Sequence, residues 1–536
     1  MPLAQSENHS QASLLPAAGP RRSWLPLLCL IVAGVAARVP AWLAFRPIWS
    51  GDSGGYASFY ALWVHHHFFA GERTPVYPFF LGVAQWMAGV PAARTLGLRA
   101  GYAAVFLQAF ADLAAAIVFY LLLRALRVRT RTALLCGLLL VTTPALLMAE
   151  MTLLNMSLSL ALLVATMAMF AWVLRRVQQA RAVAIPAVML GAVACVMALN
   201  RPEFVIFSAI LMLTLAGAAL CQRSQSALRR LRMAPLWMAL GFAPAMLLWM
   251  SLVYAGTGEF RITTVNGWNR TRTVYNLFDR VDAEDRVVGQ ILQETYQRER
   301  QTGGVNLREI VWPSMPGILQ HLESYPGLEE DATPNAAQQW YAAQLRQSFA
   351  LTELPCSTRL VDYCWEMMRI RIETGDYLGR VSGKLIRRYP LQYAANVGAN
   401  FAEESFNFHY AGEAPSTPGF HETACGGGDV VRRPRLAGAL RSILPWHAAL
   451  LLAAYLVTLL GLLLGPRLLW RPLDEHWTAD LTCWALALAS TGTMLLTCAL
   501  AGFNRIYSLP HLAVFFLTSA YVWNARERWY RQLRRQ

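Results

Sequence analysis

Lysine is almost missing from this 536-residue chain: Lys384 stands alone, and the other basic side chains are arginines. That bias reads as genomic composition and carries no functional weight. Charge of either sign is also scarce, at 15% of residues against about 25% in soluble domains. With 56% hydrophobic residues and a mean hydropathy of +0.34, this scarcity excludes an ordinary soluble domain. The nine cysteines form no Cys-x-x-Cys or Cys/His spacing, which excludes a structural zinc module. Cys29, Cys136, Cys195, Cys483 and Cys498 fall inside apolar runs as small hydrophobes. Cys356, Cys364 and Cys425 lie in a polar region, where one disulfide would form only in an oxidising compartment. Long alternating strand patterns are missing, and so is any repeat of solenoid period.

What the sequence does have is long apolar runs. Windows near 24–45, 99–123, 132–149, 151–174, 183–199, 204–222, 234–254, 444–464, 478–500 and 507–524 are each of bilayer-spanning length. Residues 1–20 read as a disordered cytoplasmic tail. The run after Arg21 and Arg22 is too long for a signal-peptide core and lacks a small-residue cleavage site, so it reads as a retained first helix. An eleventh apolar segment, 75–90, is short and holds Pro75, Pro78 and Gly82. The expected fold class is therefore an all-α polytopic membrane protein of about 10–11 transmembrane helices. Juxtamembrane helices occupy its first outer loop, and a mainly helical extracytoplasmic domain completes it. The expected organisation is a membrane bundle over 21–254, that domain over 255–443, transmembrane helices over 444–524, and a basic cytoplasmic tail over 525–536. Within the domain, helical patterns fall around 284–300, 336–350 and 376–389.

The net charge of +15 would suggest nucleic acid in a soluble protein. Here the arginines bunch in short loops between apolar runs, where they orient helices. Nucleic acid is therefore excluded as a partner, and membrane lipids are implied. The loops holding Arg124 to Arg131, Arg175 to Arg181 and Arg223 to Arg232, and the arginine-rich C-terminal tail, all fall inside only if 75–90 does not cross. That parity places Asp52, Glu150, Arg201, Glu203, the 255–443 region, Arg505 and Tyr507 together on the outer side.

Asp52, with Tyr56 one turn on, is a carboxylate at the membrane surface, suited to act as a general base or to hold a metal; it also suits a helix N-cap. Arg73 precedes Tyr77 at the start of a short helix, where the macrodipole disfavours a cation. A phosphate at the bilayer surface would hold it, and snorkelling to headgroups is the plainer alternative. Glu150 sits in a tight turn between two apolar runs, placed either to bind substrate, to pair with an arginine or to cap a helix near Met151. Arg201 and Glu203 in "LNRPEF", and Arg505, Tyr507 and His511 in "GFNRIYSLPHL", repeat the theme of charges at outer turns. His65, His66 and His67 are consecutive, so on a helix their side chains diverge by about 100° each. They make a poor metal site.

The order of these motifs resembles the GT-C superfamily of integral-membrane glycosyltransferases, users of polyprenyl-phosphate sugars that include protein O-mannosyltransferases and lipid A aminoarabinose transferases. The pieces are "GDSGGYASFYALW", "RTPVYPFFLGVAQWMAG", "AEMTLLNMSLSLALL", the "LNRP" turn, "LIRRYPLQYAANVGANF" and "NRIYSLPHLAVFFLTSAY". The resemblance implies a catalytic acid at Asp52, with Glu150 the candidate for a second. It implies donor-phosphate contacts from Arg73, Arg201 and Arg505, and a cavity including Tyr56, Tyr77, Glu203 and Tyr507. No cofactor is certain; a divalent metal is left open. The implied partners are a polyprenyl-phosphate sugar donor and an acceptor that is an envelope lipid, glycan or protein. The implied location is the bacterial cytoplasmic membrane with the site facing the periplasm. A secondary transporter and a non-catalytic assembly protein are the alternatives from other classes.

Overall fold

The computed structural model describes residues 24–67, 69, 71–92, 96–221, 225–301, 358–406, 423–425, 429–463, 476–501 and 509–534. In chain order the elements are α1 (Leu25–Ala44), β1 (Ile48–Trp49), α2 (Gly51–His66), α3 (Val76–Met87), α4 (Leu98–Ala125), α5 (Thr130–Val141), α6 (Pro144–Met151), α7 (Met156–Gln178), α8 (Ala184–Asn200), α9 (Phe204–Cys221) and α10 (Gln225–Thr257). They continue with α11 (Asn266–Thr271), α12 (Arg286–Gln301), α13 (Thr358–Arg388), α14 (Pro390–Phe406), β2 (Thr423–Ala424), α15 (Pro434–Leu463), α16 (Trp477–Ala501) and α17 (Leu512–Arg534).

Among the described residues every apolar window falls mainly on helix, and the chain is an all-α polytopic membrane protein. Among the described residues seven helical stretches are long and apolar enough to cross a membrane, and two shorter apolar helices cover Ala184–Asn200 and Ala449–Leu463. The tenth window falls on α17, whose C-terminal half turns charged ("ARERWYRQLR"). The window 132–149 is one span made of two helices: α5 ends at Thr142 and Thr143, because Pro144 disfavours helical backbone in the residue before it. Both threonine hydroxyls donate back to carbonyls four residues earlier, those of Leu138 and Leu139, so the break leaves them satisfied.

The 75–90 segment forms only the 12-residue α3. At 1.5 Å per residue it rises about 18 Å, short of the roughly 30 Å hydrocarbon core. One face, with Tyr77, Leu81 and Ala84, is buried against the bundle; the other presents Phe79, Val83 and Trp86, the last 78% exposed. That is the surface of a helix lying at an interface. α8 and α10 approach backbone to backbone, since a Cβ at Gly191 would lie 1.9 Å from the Met238 carbonyl oxygen and one at Gly241 2.0 Å from that of Val188. Small residues at such crossings are how membrane helices pack closely.

The 255–443 region carries helices and no sheet core among its described residues. Its one strand, β2, pairs antiparallel with β1, Ile48 opposite Ala424 and Trp49 opposite Thr423. The ribbon ties the region to the segment between α1 and α2, and Arg46 N–H donating to Val430 O (2.9 Å) extends the tie. α12 and α13 cover the helical patterns at 284–300 and 376–389. The pattern at 336–350 lies outside the described residues, as do the tail 1–20 and Cys356. Cys425 is a buried free thiol; the side chain of Cys364 is not among those described. At the region's edges α10 runs on to Thr257 and α15 starts as early as Pro434.

Candidate active site

The site is built where three segments meet: the turn after α1, the α6–α7 turn and the strand β2. Leu153 N–H donates to Ile48 O (3.0 Å) and Cys425 N–H to Pro47 O (3.0 Å), so the chain enters α2 from a fixed point. Ser50 is the N-cap, in extended backbone, and with Ser53 it forms a capping box. Ser53 Oγ accepts from Ser50 N–H (3.0 Å) and donates to Leu153 O (2.8 Å). The serines thus take the capping role offered above for Asp52, and Asp52, one residue into the helix, is released from it.

Its carboxylate turns to Arg73, with Nη2 2.5 Å from Oδ1. The guanidinium also lies over the Tyr56 ring, 4.9 Å from its centroid. It packs on Gly55, where a Cβ would sit 3.1 Å from Nε. Arg73 precedes α3 by three residues rather than opening it, and a carboxylate and an aromatic face hold it. The pair stays accessible, with side chains 42% exposed for Asp52 and 25% for Arg73. The Arg73 guanidinium holds the Asp52 carboxyl below the usual carboxylate range against the opposing effect of burial; Arg272 and Arg201 act in the same direction. Burial pushes the Tyr56 phenol up to about 12, so it stays protonated.

Behind this pair lies a polar seam. Tyr56 meets Tyr77 edge-on, ring centroids 4.9 Å apart. Tyr77 is fully buried and its hydroxyl donates to Gln108 Oε1 (2.6 Å) on α4. The Gln108 amide in turn donates to the carbonyls of Glu150 (2.5 Å) and Thr152 (3.1 Å). Tyr77 thereby ties α3 through α4 to the α6–α7 turn. A second seam runs from Thr74, whose hydroxyl donates to Asn200 O (3.3 Å), to Asn155, whose amide donates to the same oxygen (3.0 Å). Arg201 follows as the C-cap residue of α8; it is buried, ion-paired with Glu203, and has Nη1 2.9 Å from Met156 Sδ.

Glu150 lies in the last turn of α6 and the next helix begins only at Met156, so it caps nothing. It does pair with an arginine, but with one from a helix: Arg38 of α1, Nη2 to Oε2 2.9 Å, with side chains 4% and 1% exposed. Arg38 also donates from Nη1 to Gly34 O (2.8 Å), and Asp112 of α4 is buried beside it. Arg38 and Asp112 were legible as charges inside the windows 24–45 and 99–123, the usual mark of a functional or structural polar site in a membrane. Neither lies at an outer turn, where the other candidate charges gather. Arg272, beyond α11, had no sequence signal, because only the fold brings that segment near Asp52.

Arg505 and Tyr507 lie outside the described residues. His511 is buried and its Nδ1 is 2.8 Å from Ser490 Oγ, beside the rings of Phe204 and Phe207. His67 ends α2 in left-handed backbone, φ 52°; the side chains of His65 and His66 are not among those described. Among the described residues, the group of three acids close enough to share a metal ion is Asp282, Glu284 and Asp285, which does not include Asp52. Lys384 and Arg388 already pair with it.

No protein-family model matches the chain, and no curated protein matches it in sequence. Among solved structures it is similar to the archaeal oligosaccharyltransferase AglB from Archaeoglobus fulgidus, in complex with an inhibitory peptide and a dolichol-phosphate, at 13% identity and a TM-score of 0.42 over 95% of this chain and 52% of that one. It is also similar to ArnT from Cupriavidus metallidurans bound to undecaprenyl phosphate, at 15% identity and a TM-score of 0.34 over 90% of this chain and 78% of that one. The chain thus spans about half the length of the oligosaccharyltransferase.

Proposed function

We propose that the protein is a membrane glycosyltransferase of GT-C type. It moves a sugar from a polyprenyl-phosphate donor to a lipid, glycan or protein acceptor outside the bacterial cytoplasmic membrane. The observation that carries this reading is the accessible Asp52–Arg73 pair at the head of α2, set in the field of Arg201 and Arg272. The motif order described above supports it.

In the resting state Arg73 keeps Asp52 ionised, and a carboxylate so held is a weak base. An incoming donor phosphate competes for the same guanidinium, and arginine binds phosphate by charge-assisted, often bidentate hydrogen bonds. As Arg73 turns to the phosphate, Asp52 loses its counter-ion and gains basicity. The acceptor oxygen or nitrogen then attacks the anomeric carbon and its proton passes to Asp52. The bond from that carbon to the phosphate oxygen breaks, and the polyprenyl phosphate leaves against the positive field. Arg201, already held by Glu203, supplies field rather than a mobile contact. Glu150 is assigned to fixing the α6–α7 turn through Arg38. Arg505 and Tyr507 stay candidates for the phosphate cavity on the motif alone. A secondary transporter would carry its charges along a path; Arg38 and Glu150 are instead sealed.

The test compares envelope lipids, glycans and glycoproteins by mass spectrometry in cells with and without the gene. One sugar is expected to be missing without it, restored by the wild-type chain and not by Asp52→Asn expressed to the same level. An unchanged envelope, or full restoration by Asp52→Asn, overturns the reading.

A further inference from the structure

A cavity of about 610 Å³ opens between α11 and α13, lined by Arg261, Arg270, Arg380, Lys384 and Arg387 with the single acid Asp376. On α13 the lining residues 376, 379, 380, 383, 384 and 387 recur at helical spacing, so they form one stripe. The opposite face of the helix, with Leu378, Val381 and Leu385, is buried in an apolar cluster. Two of the five cations are committed: Arg261 holds Asp376 by two hydrogen bonds of 2.6 and 2.9 Å, and Lys384 pairs with Glu284 and Asp285. Arg270, Arg380 and Arg387 have no carboxylate partner among the described residues.

Glycines make the space. A Cβ at Gly267 would lie 1.7 Å from the Gly375 carbonyl oxygen, so α11 and α13 touch through backbone. Gly383 leaves the floor open beneath Arg270, whose Nη1 would be 3.9 Å from a Cβ there. Arg380 and Arg387 are exposed and Arg270 half-buried, so water screens their repulsion; an anion seated among them would gain charge-assisted hydrogen bonds, and the volume is that of a ligand pocket, about 300–1,000 Å³. A phosphomonoester carries about −1.5 to −2 at neutral pH, so a diphosphate or two neighbouring phosphates match three guanidiniums.

The cavity adjoins the Asp52 site. Thr264 N–H, between Arg261 and Asn266, donates to Gly71 O (3.1 Å), two residues before Arg73. Arg272, two residues beyond Arg270, helps hold the Asp52 carboxyl low.

We propose that this cavity binds a phosphate-bearing part of the acceptor, which makes the acceptor a molecule with clustered phosphate groups rather than a neutral polypeptide. As a statement about an acceptor it rests on the transferase reading; as a phosphate site it stands on the cavity. The experiment is titration calorimetry of inorganic pyrophosphate into the full chain in phosphatidylcholine nanodiscs. Saturable one-to-one binding is expected, weakened about tenfold or more by Arg387→Gln and further by Arg270→Gln/Arg387→Gln. Arg387→Lys should retain most of it. Absence of saturable binding, or equal binding by the double variant with its thermal transition intact, overturns the proposal. A second arm replaces part of the phosphatidylcholine by phosphatidylglycerol. Unchanged pyrophosphate binding supports an acceptor site, and its loss assigns the cavity to bulk anionic lipid and overturns it. Because the readout is binding, a failure here leaves the transfer reading standing, and failure of the Asp52→Asn transfer test leaves the phosphate site standing.

Discussion

Two arginine–carboxylate pairs sit at the same end of the α1–α7 bundle and differ in one respect. Arg38 and Glu150 are sealed, while Asp52 and Arg73 keep a quarter to two-fifths of their surfaces open. A sealed pair cannot trade partners, because removing one member strands a charge in a medium that will not solvate it. An open pair can, because a ligand phosphate replaces the carboxylate without leaving either ion bare. The same pairing of arginine with carboxylate is thus sealed in one place and open to solvent in the other.

The largest effect expected from breaking that contrast is on the sealed pair. Arg38→Met should destabilise the protein by about 3–5 kcal/mol, read as a lowered thermal transition in detergent. Arg38→Met/Glu150→Leu should recover part of the loss; a double variant no better than the single would mean the pair is not what Arg38 satisfies. Next comes Asp52→Asn, expected to cut sugar transfer about a hundredfold or more while stability changes by less than about 1 kcal/mol, the range of exposed pairs. A large loss of stability in that variant would erase the distinction between the two pairs. Tyr77→Phe probes the seam that joins them: it strands Gln108 Oε1 and should cost about 1–3 kcal/mol, with transfer falling through a misplaced α2 rather than a lost base. Rescue of transfer at low temperature would identify that positioning role.

The smallest effect is a pH dependence. The Asp52 carboxyl titrates lower in the folded protein than its unfolded value of about 4. The stability from its pair is therefore fully present above that value and lost as pH falls through the lower, folded one. The gap in thermal transition between wild type and Asp52→Asn should be constant from pH 5 to 7 and close only below about pH 4. A gap that closes near pH 6 would mean that the carboxyl is not held low.

Much of the fold was legible because bilayer crossing is a local property of about 20 consecutive residues. The ten windows fall on helices for that reason, and the shortness of 75–90 already argued against a crossing. The site was legible in part. Asp52, Arg73 and Tyr56 stood out as polar residues in one loop, and they do meet. Their partners needed distance as well as sidedness: of the alternatives open to each, Ser50 and not Asp52 caps α2, Asp52 pairs with Arg73, and Glu150 pairs with an arginine, Arg38, from within the bundle. The phosphate pocket had a legible half in the α13 stripe "DYLGRVSGKLIR". Its other half, Arg261 and Arg270, is more than a hundred residues away in sequence.

By itself the sequence determined that this is a helical membrane protein, which segments form its helices, and that charge gathers around its first loop. These follow from local hydropathy and the cost of burying charge in lipid. Tertiary structure alone decided which charges are sealed in pairs and which stay exposed, because exposure and partner choice depend on residues that share space without sharing a stretch of chain.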